Sequence, residues 1–267
     1  RVTGNLHLGD VGADGSVLIW DENSRIGLTG RMRGDTKDRD LSWLDWSDAP
    51  VLSADGKTLL FTEQGDGGGP EYSVYLRNMD GSPAVRLGPG MVTDISQDGK
   101  WVLTMRLNPA PAQLVLLPTG AGDAKPVTND AIAHSFSWFT TDGAHVVFDG
   151  FEPGHQPRLY LQPLSGGAPK PITPEGVTGI PSPDGALAAF RGKIYSADGG
   201  APRPIPGIEP GDRIVGWASQ PNSLFVVRGL DSGNYQLFLL DAAGRRTPAH
   251  ELERVPGSTL GQWFATT

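Results

Sequence analysis

Apolar runs and Asp-Gly pairs alternate along the whole chain. In LSADGKTLLF (Leu52–Phe61) a short apolar run, an Asp-Gly pair and a second apolar run follow one another. Asp-Gly in this setting is the strongest short-range hairpin signal, because both residues tolerate the positive φ of a tight turn. The unit recurs as VGADGSVLIW, ISQDGKWVLTM, FTTDGAHVVF and PSPDGALAAF. Its glycines, Gly15, Gly56, Gly99, Gly143 and Gly185, stand 41, 43, 44 and 42 residues apart. A sixth copy, ASQPNSLFVV, carries Pro221-Asn222 in place of the pair, 37 residues after Gly185. A period of roughly 40–45 residues with four strands per unit marks a β-propeller.

Repeat 2 predicts its strands most plainly. Strand a covers Pro50–Ser53, strand b Thr58–Glu63, strand c Tyr72–Arg77 and strand d Ala84–Leu87. Strand c alternates Tyr72, Val74 and Leu76 against Ser73, Tyr75 and Arg77, the period of two expected of a strand. Prolines in PKPIT and PRPIP assign strand d to the outer edge, since proline cannot donate to a central ladder. No window shows sustained helical periodicity. The expected fold is therefore all-β: one six-bladed propeller of four-stranded antiparallel blades over residues 1–267. Its repeats fall at about 5–41, 42–90, 91–130, 131–175, 176–211 and 212–253, with a closing strand at 258–267. Both ends read as strand a (NLHLGDV and LGQWFATT), so a seven-bladed or incomplete ring is the alternative.

Composition narrows the function classes. A net charge of −8 and the lack of any basic run longer than Arg245-Arg246 argue against nucleic acid as a partner. The absence of cysteine excludes disulfides, thiolate metal sites and thiol nucleophiles. No apolar stretch is long enough for this segment to insert in a membrane. The chain opens at Arg1 and reads as a piece excised from something longer.

The strings SADGKTLLF, SQDGKWVLT and SPDGALAAF resemble the repeat of TolB-like propellers, which belong to the wider WD40-like class. Within Ile26–Gly122, RDLSWLDWS, LSADGKTLLFTEQGDGGG, VYLRNMDGSPAVRLG and QLVLLPTGAG resemble the C-terminal sensor region of bacterial membrane-anchored serine/threonine kinases. That resemblance implies a regulatory propeller in bacterial signalling, located outside the cytoplasm in the periplasm or at the cell surface. The kinase signatures themselves are missing: there is no His-Arg-Asp loop and no Asp-Phe-Gly.

In a propeller the b–c and d–a connections share one face, here termed the top face. Candidate ligand contacts are therefore sought in those connections. The Trp-rich d–a segment offers Trp43, Asp45 and Trp46, and the Gly-rich b–c connection, GDGGGPE with the end of strand b before it, offers Glu63, Asp66 and Glu71. That loop lacks the Gly-Lys-Ser/Thr ending of a phosphate cradle and is expected to be mobile. In repeat 4, His134, beside Asp130 at the end of repeat 3, and His155, with Glu152, are candidates to converge on the top face. Arg106, Asp212, Arg213, Arg228 and Asp231 complete the set. No serine lies in Gly-x-Ser-x-Gly, no histidines are spaced as metal ligands, and no cofactor is expected. The expected activity is non-enzymatic binding of a protein or small-molecule ligand. The alternative is a hydrolase or lactonase with Ca²⁺ in the central channel, held by carboxylates such as Glu63, Asp130 and Asp212, since calcium takes six to eight oxygens.

Overall fold

A computed structural model describes residues 5–22, 25–32 and 34–252. The first strands form two separate ribbons: β1 (Asn5–Val11) with β2 (Val17–Glu22), and β3 (Thr29–Gly30) with β4 (Arg39–Asp40). Five four-stranded antiparallel sheets follow, and each takes the number of its repeat. Blade 2 is β5 (Ser47–Leu52), β6 (Thr58–Glu63), β7 (Ser73–Asn78) and β8 (Val85–Pro89). Blade 3 is β9 (Met91–Ile95), β10 (Trp101–Arg106), β11 (Gln113–Pro118) and β12 (Lys125–Pro126). Blade 4 is β13 (Ala133–Phe139), β14 (His145–Phe151), β15 (Arg158–Pro163) and β16 (Lys170–Pro171). Blade 5 is β17 (Ile180–Pro181), β18 (Leu187–Phe190), β19 (Lys193–Ser196) and β20 (Arg203–Pro204). Blade 6 is β21 (Arg213–Trp217), β22 (Leu224–Gly229), β23 (Tyr235–Leu240) and β24 (Arg246–Leu252).

Among the described residues the expectation of six four-stranded blades is thus corrected to five. Repeat 1 does not assemble a four-stranded blade: among the described residues no ladder joins β2 to β3. Its polar insertion folds on itself instead, with Arg31 on Asp38 at 2.7 Å and Arg39 on Asp35 at 3.3 Å. The β3–β4 ribbon packs on blade 2, where Leu28, Met32 and Leu41 join Leu59, Phe61, Tyr75 and Met79. The predicted closing strand, 258–267, lies outside the described residues.

The Asp-Gly turns set the register of each blade. In blade 2 the Gly56 N–H donates to the Ser53 carbonyl, and the Asp55 carboxylate accepts from the Ser53 hydroxyl at 2.6 Å and from the Lys57 N–H at 3.1 Å. Blades 3, 4 and 5 repeat this around Asp98, Asp142 and Asp184. The hydroxyl bond holds Asp55, Asp98 and Asp184 below the usual carboxylate range, and Asp142 at about 2. Only the glycine of each pair takes positive φ (66° at Gly56, 65° at Gly143), so the turn is not the doubly left-handed one expected. In blade 6 Asn222 stands in for glycine at φ 54°, which asparagine tolerates.

The b strands are buried on both faces. Leu60, Phe61, Val102, Leu103, Val146 and Phe148 are fully enclosed, each burial contributing about 1.5–3 kcal/mol. The a strands of successive blades approach one another, β5 with β9, β9 with β13 and β17 with β21. The prolines of β12, β16 and β20 lie on the last strand of their sheets, at the edge where a missing N–H is harmless.

Candidate functional site

At the top of blade 2 the predicted contacts form a closed structural joint. Glu63 ends β6 fully buried. Its carboxylate accepts the Leu44 N–H at 3.1 Å, the Trp46 N–H at 3.3 Å and the Ser47 hydroxyl. The d–a segment holding Asp45 is thereby pinned over the sheet, and the Asp45 carbonyl accepts from the Ile26 N–H. Trp43 is exposed beneath the Arg77 guanidinium, 5.7 Å from its ring. The Gly-rich loop forms a turn of 3₁₀ helix over Asp66–Gly68 and packs on Leu44 and Trp46, in contrast to the mobile connection expected. Asp66 and Glu71 remain exposed on it.

The blade 4 residues do not converge. The buried His134 donates from Nδ1 to the Ala112 carbonyl at 2.9 Å and rests on Phe148. Burial lowers its pKa, and Nε2 is 3.8 Å from the Asp130 carboxylate. His155 pairs with Glu175 at 2.7 Å, while Glu152 pairs with Arg158 at 3.4 Å. Glu63, Asp130 and Asp212 stand on three blades, each with its own partners. Among the described residues no three or more histidines, aspartates or glutamates are grouped to hold a metal. The convergence that a channel Ca²⁺ requires is therefore not formed by these side chains.

Arg106 lines a groove of about 440 Å³ between blades 2 and 3, bordered by β8 and the residues after β11, with its Nε buried and unpartnered. A second groove, of about 270 Å³, opens between blades 5 and 6 on the top face. It is lined by the β18–β19 turn, the residues before β17 and the start of β21, including Arg191, Asp212 and Arg213. Asp212 is withdrawn from solvent and bonded by Arg228 Nε at 2.9 Å and by Arg246 Nη1 at 2.8 Å. Arg228 also reaches Glu209 at 2.6 Å. Two acids and two arginines thus cancel beside the groove. Asp231 sits exposed on the neighbouring β22–β23 turn.

Sequence reasoning placed Asp212, Arg213 and Arg228 on this face but missed Arg191, Glu209 and Arg246. The available signal was the b–c connection of repeat 5, shortened to Arg191-Gly192 between two strands.

No family model and no curated protein matches the chain. Solved structures do. A putative TolB from Agrobacterium tumefaciens superposes with a TM-score of 0.58 at 20% identity, covering 81% of this chain and 85% of that one. The fold is that of a TolB-like β-propeller. An oligogalacturonate lyase from Vibrio parahaemolyticus superposes with a TM-score of 0.56 at 14% identity, over 94% of this chain and 73% of that one. One of two prolyl endopeptidases superposes with a TM-score of 0.51 at 11% identity, over 96% of this chain and 43% of that one. This chain spans 47% of the TolB of Acinetobacter baumannii. At such identities the likeness is one of fold, which does not fix function.

Proposed function

We propose that this TolB-like propeller is an interaction module without catalysis of its own, binding a protein or small-molecule ligand on its top face. The observation that carries the proposal is how the top-face polar groups are engaged. Glu63 holds backbone, His134 is buried against Phe148, and Asp212 is neutralised by two arginines. None is left with the free base or nucleophile that hydrolysis needs. Accessible beside these engaged groups is a groove with exposed arginines at the blade 5–6 junction. The context we propose is the regulatory, extracytoplasmic part of a bacterial serine/threonine kinase, supported by the strings within Ile26–Gly122. Steady-state assays on ester, glycoside and lactone substrates test the first point. Rates at the uncatalysed background are expected, and turnover abolished by a top-face substitution would overturn the proposal.

A further inference from the structure

Resting on the top-face reading, we infer that the groove between blades 5 and 6 is a binding site for a small anion, a carboxylate or phosphate clasped by Arg191 and Arg213. The β18–β19 hairpin has a two-residue loop, because Phe190 pairs directly with Lys193. Both loop residues have positive φ, 46° at Arg191 and 75° at Gly192. Such a loop favours Asn-Gly or Asp-Gly, and a long β-carbon-bearing side chain at its first position is strained. Gly192 obeys the rule and Arg191 breaks it. Strain of this kind persists where a side chain is needed at that place.

Arg191 is exposed, stacked 5.0 Å from the Phe190 ring, and it lines the groove. Arg213, at the start of β21 on the neighbouring blade, is exposed and lines the same groove. Among the described residues neither arginine has an ion-pair partner. The one carboxylate in the groove wall, Asp212, is already bonded by Arg228 and Arg246. On a chain of net charge −8 the groove is therefore a local site of uncompensated positive charge. A cleft lined by one sign of charge concentrates the field, and guanidinium forks match carboxylate and phosphate oxygens. A volume of about 270 Å³ suits a ligand of a few heavy atoms.

The test is calorimetric titration of the full chain with inorganic phosphate and with citrate, glycerol serving as the neutral control. The wild-type protein is expected to bind both anions, more weakly as NaCl is added, and to ignore glycerol. Arg213→Gln should weaken binding about tenfold or more, the loss of one charge-assisted contact. Arg191→Asn should do the same while raising the melting temperature without ligand, because asparagine suits the turn. That opposite movement separates a binding residue from a structural one. Variants that titrate like the wild type, or a wild type that binds neither anion up to about 10 mM, would overturn the site. Turnover of an anionic ester lost in both variants would instead support the anion site and sink the non-enzymatic reading.

Discussion

Asp149, on β14, is half-buried, and its Oδ1 is enclosed without a hydrogen-bond partner. Burial pushes its pKa up to about 7. The unfolded chain ionises the same carboxyl near 3.8. Between these values the folded protein keeps a proton that the unfolded chain releases, so stability falls as pH rises from about 4 to 7 and levels off above. Three pKa units correspond to about 4 kcal/mol as an upper bound. Asp149→Asn removes this titration. Urea unfolding at about pH 5 and pH 8 should show a smaller drop in the variant than in the wild type, and greater stability than wild type at the higher pH. An unchanged drop would contradict the assignment. Asp94 is also pushed up to about 7 by burial and contributes with the same sign, so some pH dependence will survive. Asp94 differs in use, because it accepts the Ile95 N–H and, across the blade junction, the Phe139 N–H at 2.7 Å. Asparagine there would set a donor against a donor and destabilise at both pH values.

Between elements, one extensive polar tie is Arg77 on β7. It is nearly buried and donates to four backbone carbonyls, those of Leu41, Ser42, Gly81 and Ser82. It joins the end of the β3–β4 ribbon to the β7–β8 turn. Arg77→Met keeps the stem and removes every donor, and should cost about 3 kcal/mol in urea unfolding, with Arg77→Lys restoring only part, since one ammonium cannot span carbonyls from both segments. Equal stability of the wild type and Arg77→Met would refute the clamp. None of these bonds was legible in the sequence, where Arg77 reads as one polar position of an alternating strand. Local chemistry was legible. The Ser/Thr-x-Asp-Gly unit located every b strand of blades 2 to 5, and Asn222 could be matched to a glycine because both accept positive φ. Contacts between distant segments were not. The Gly-rich loop reads as mobile until Leu44 and Trp46, some twenty residues earlier, are seen to pack on it. For Arg191 the sequence shows a short b–c connection in repeat 5, but not the Phe190–Lys193 pairing that makes it a two-residue turn.

At the scale of the molecule, the repeats divide into two physical classes. Blades 2 to 6 bury their b strands on both sides, so opening a b strand exposes apolar surface to water on two faces. The β1–β2 ribbon has no such protection. Leu8, Val11, Val17, Leu18, Ile19 and Trp20 are all more than half exposed, and among the described residues no further strand pairs with it. A two-stranded hairpin alone is marginal in water. Hydrogen exchange should therefore separate the two classes. Amides of β6, β10, β14 and β22 should exchange only through cooperative opening, and those of β1 and β2 orders of magnitude faster. Mass-resolved exchange of the full chain measures both in one experiment. Fast exchange in β1 and β2 would establish that the β1–β2 hairpin stands apart from the blades in solution. Protection there equal to that of β10 would contradict the separation, and would require another surface to cover Leu18 and Trp20, because their own sheet does not.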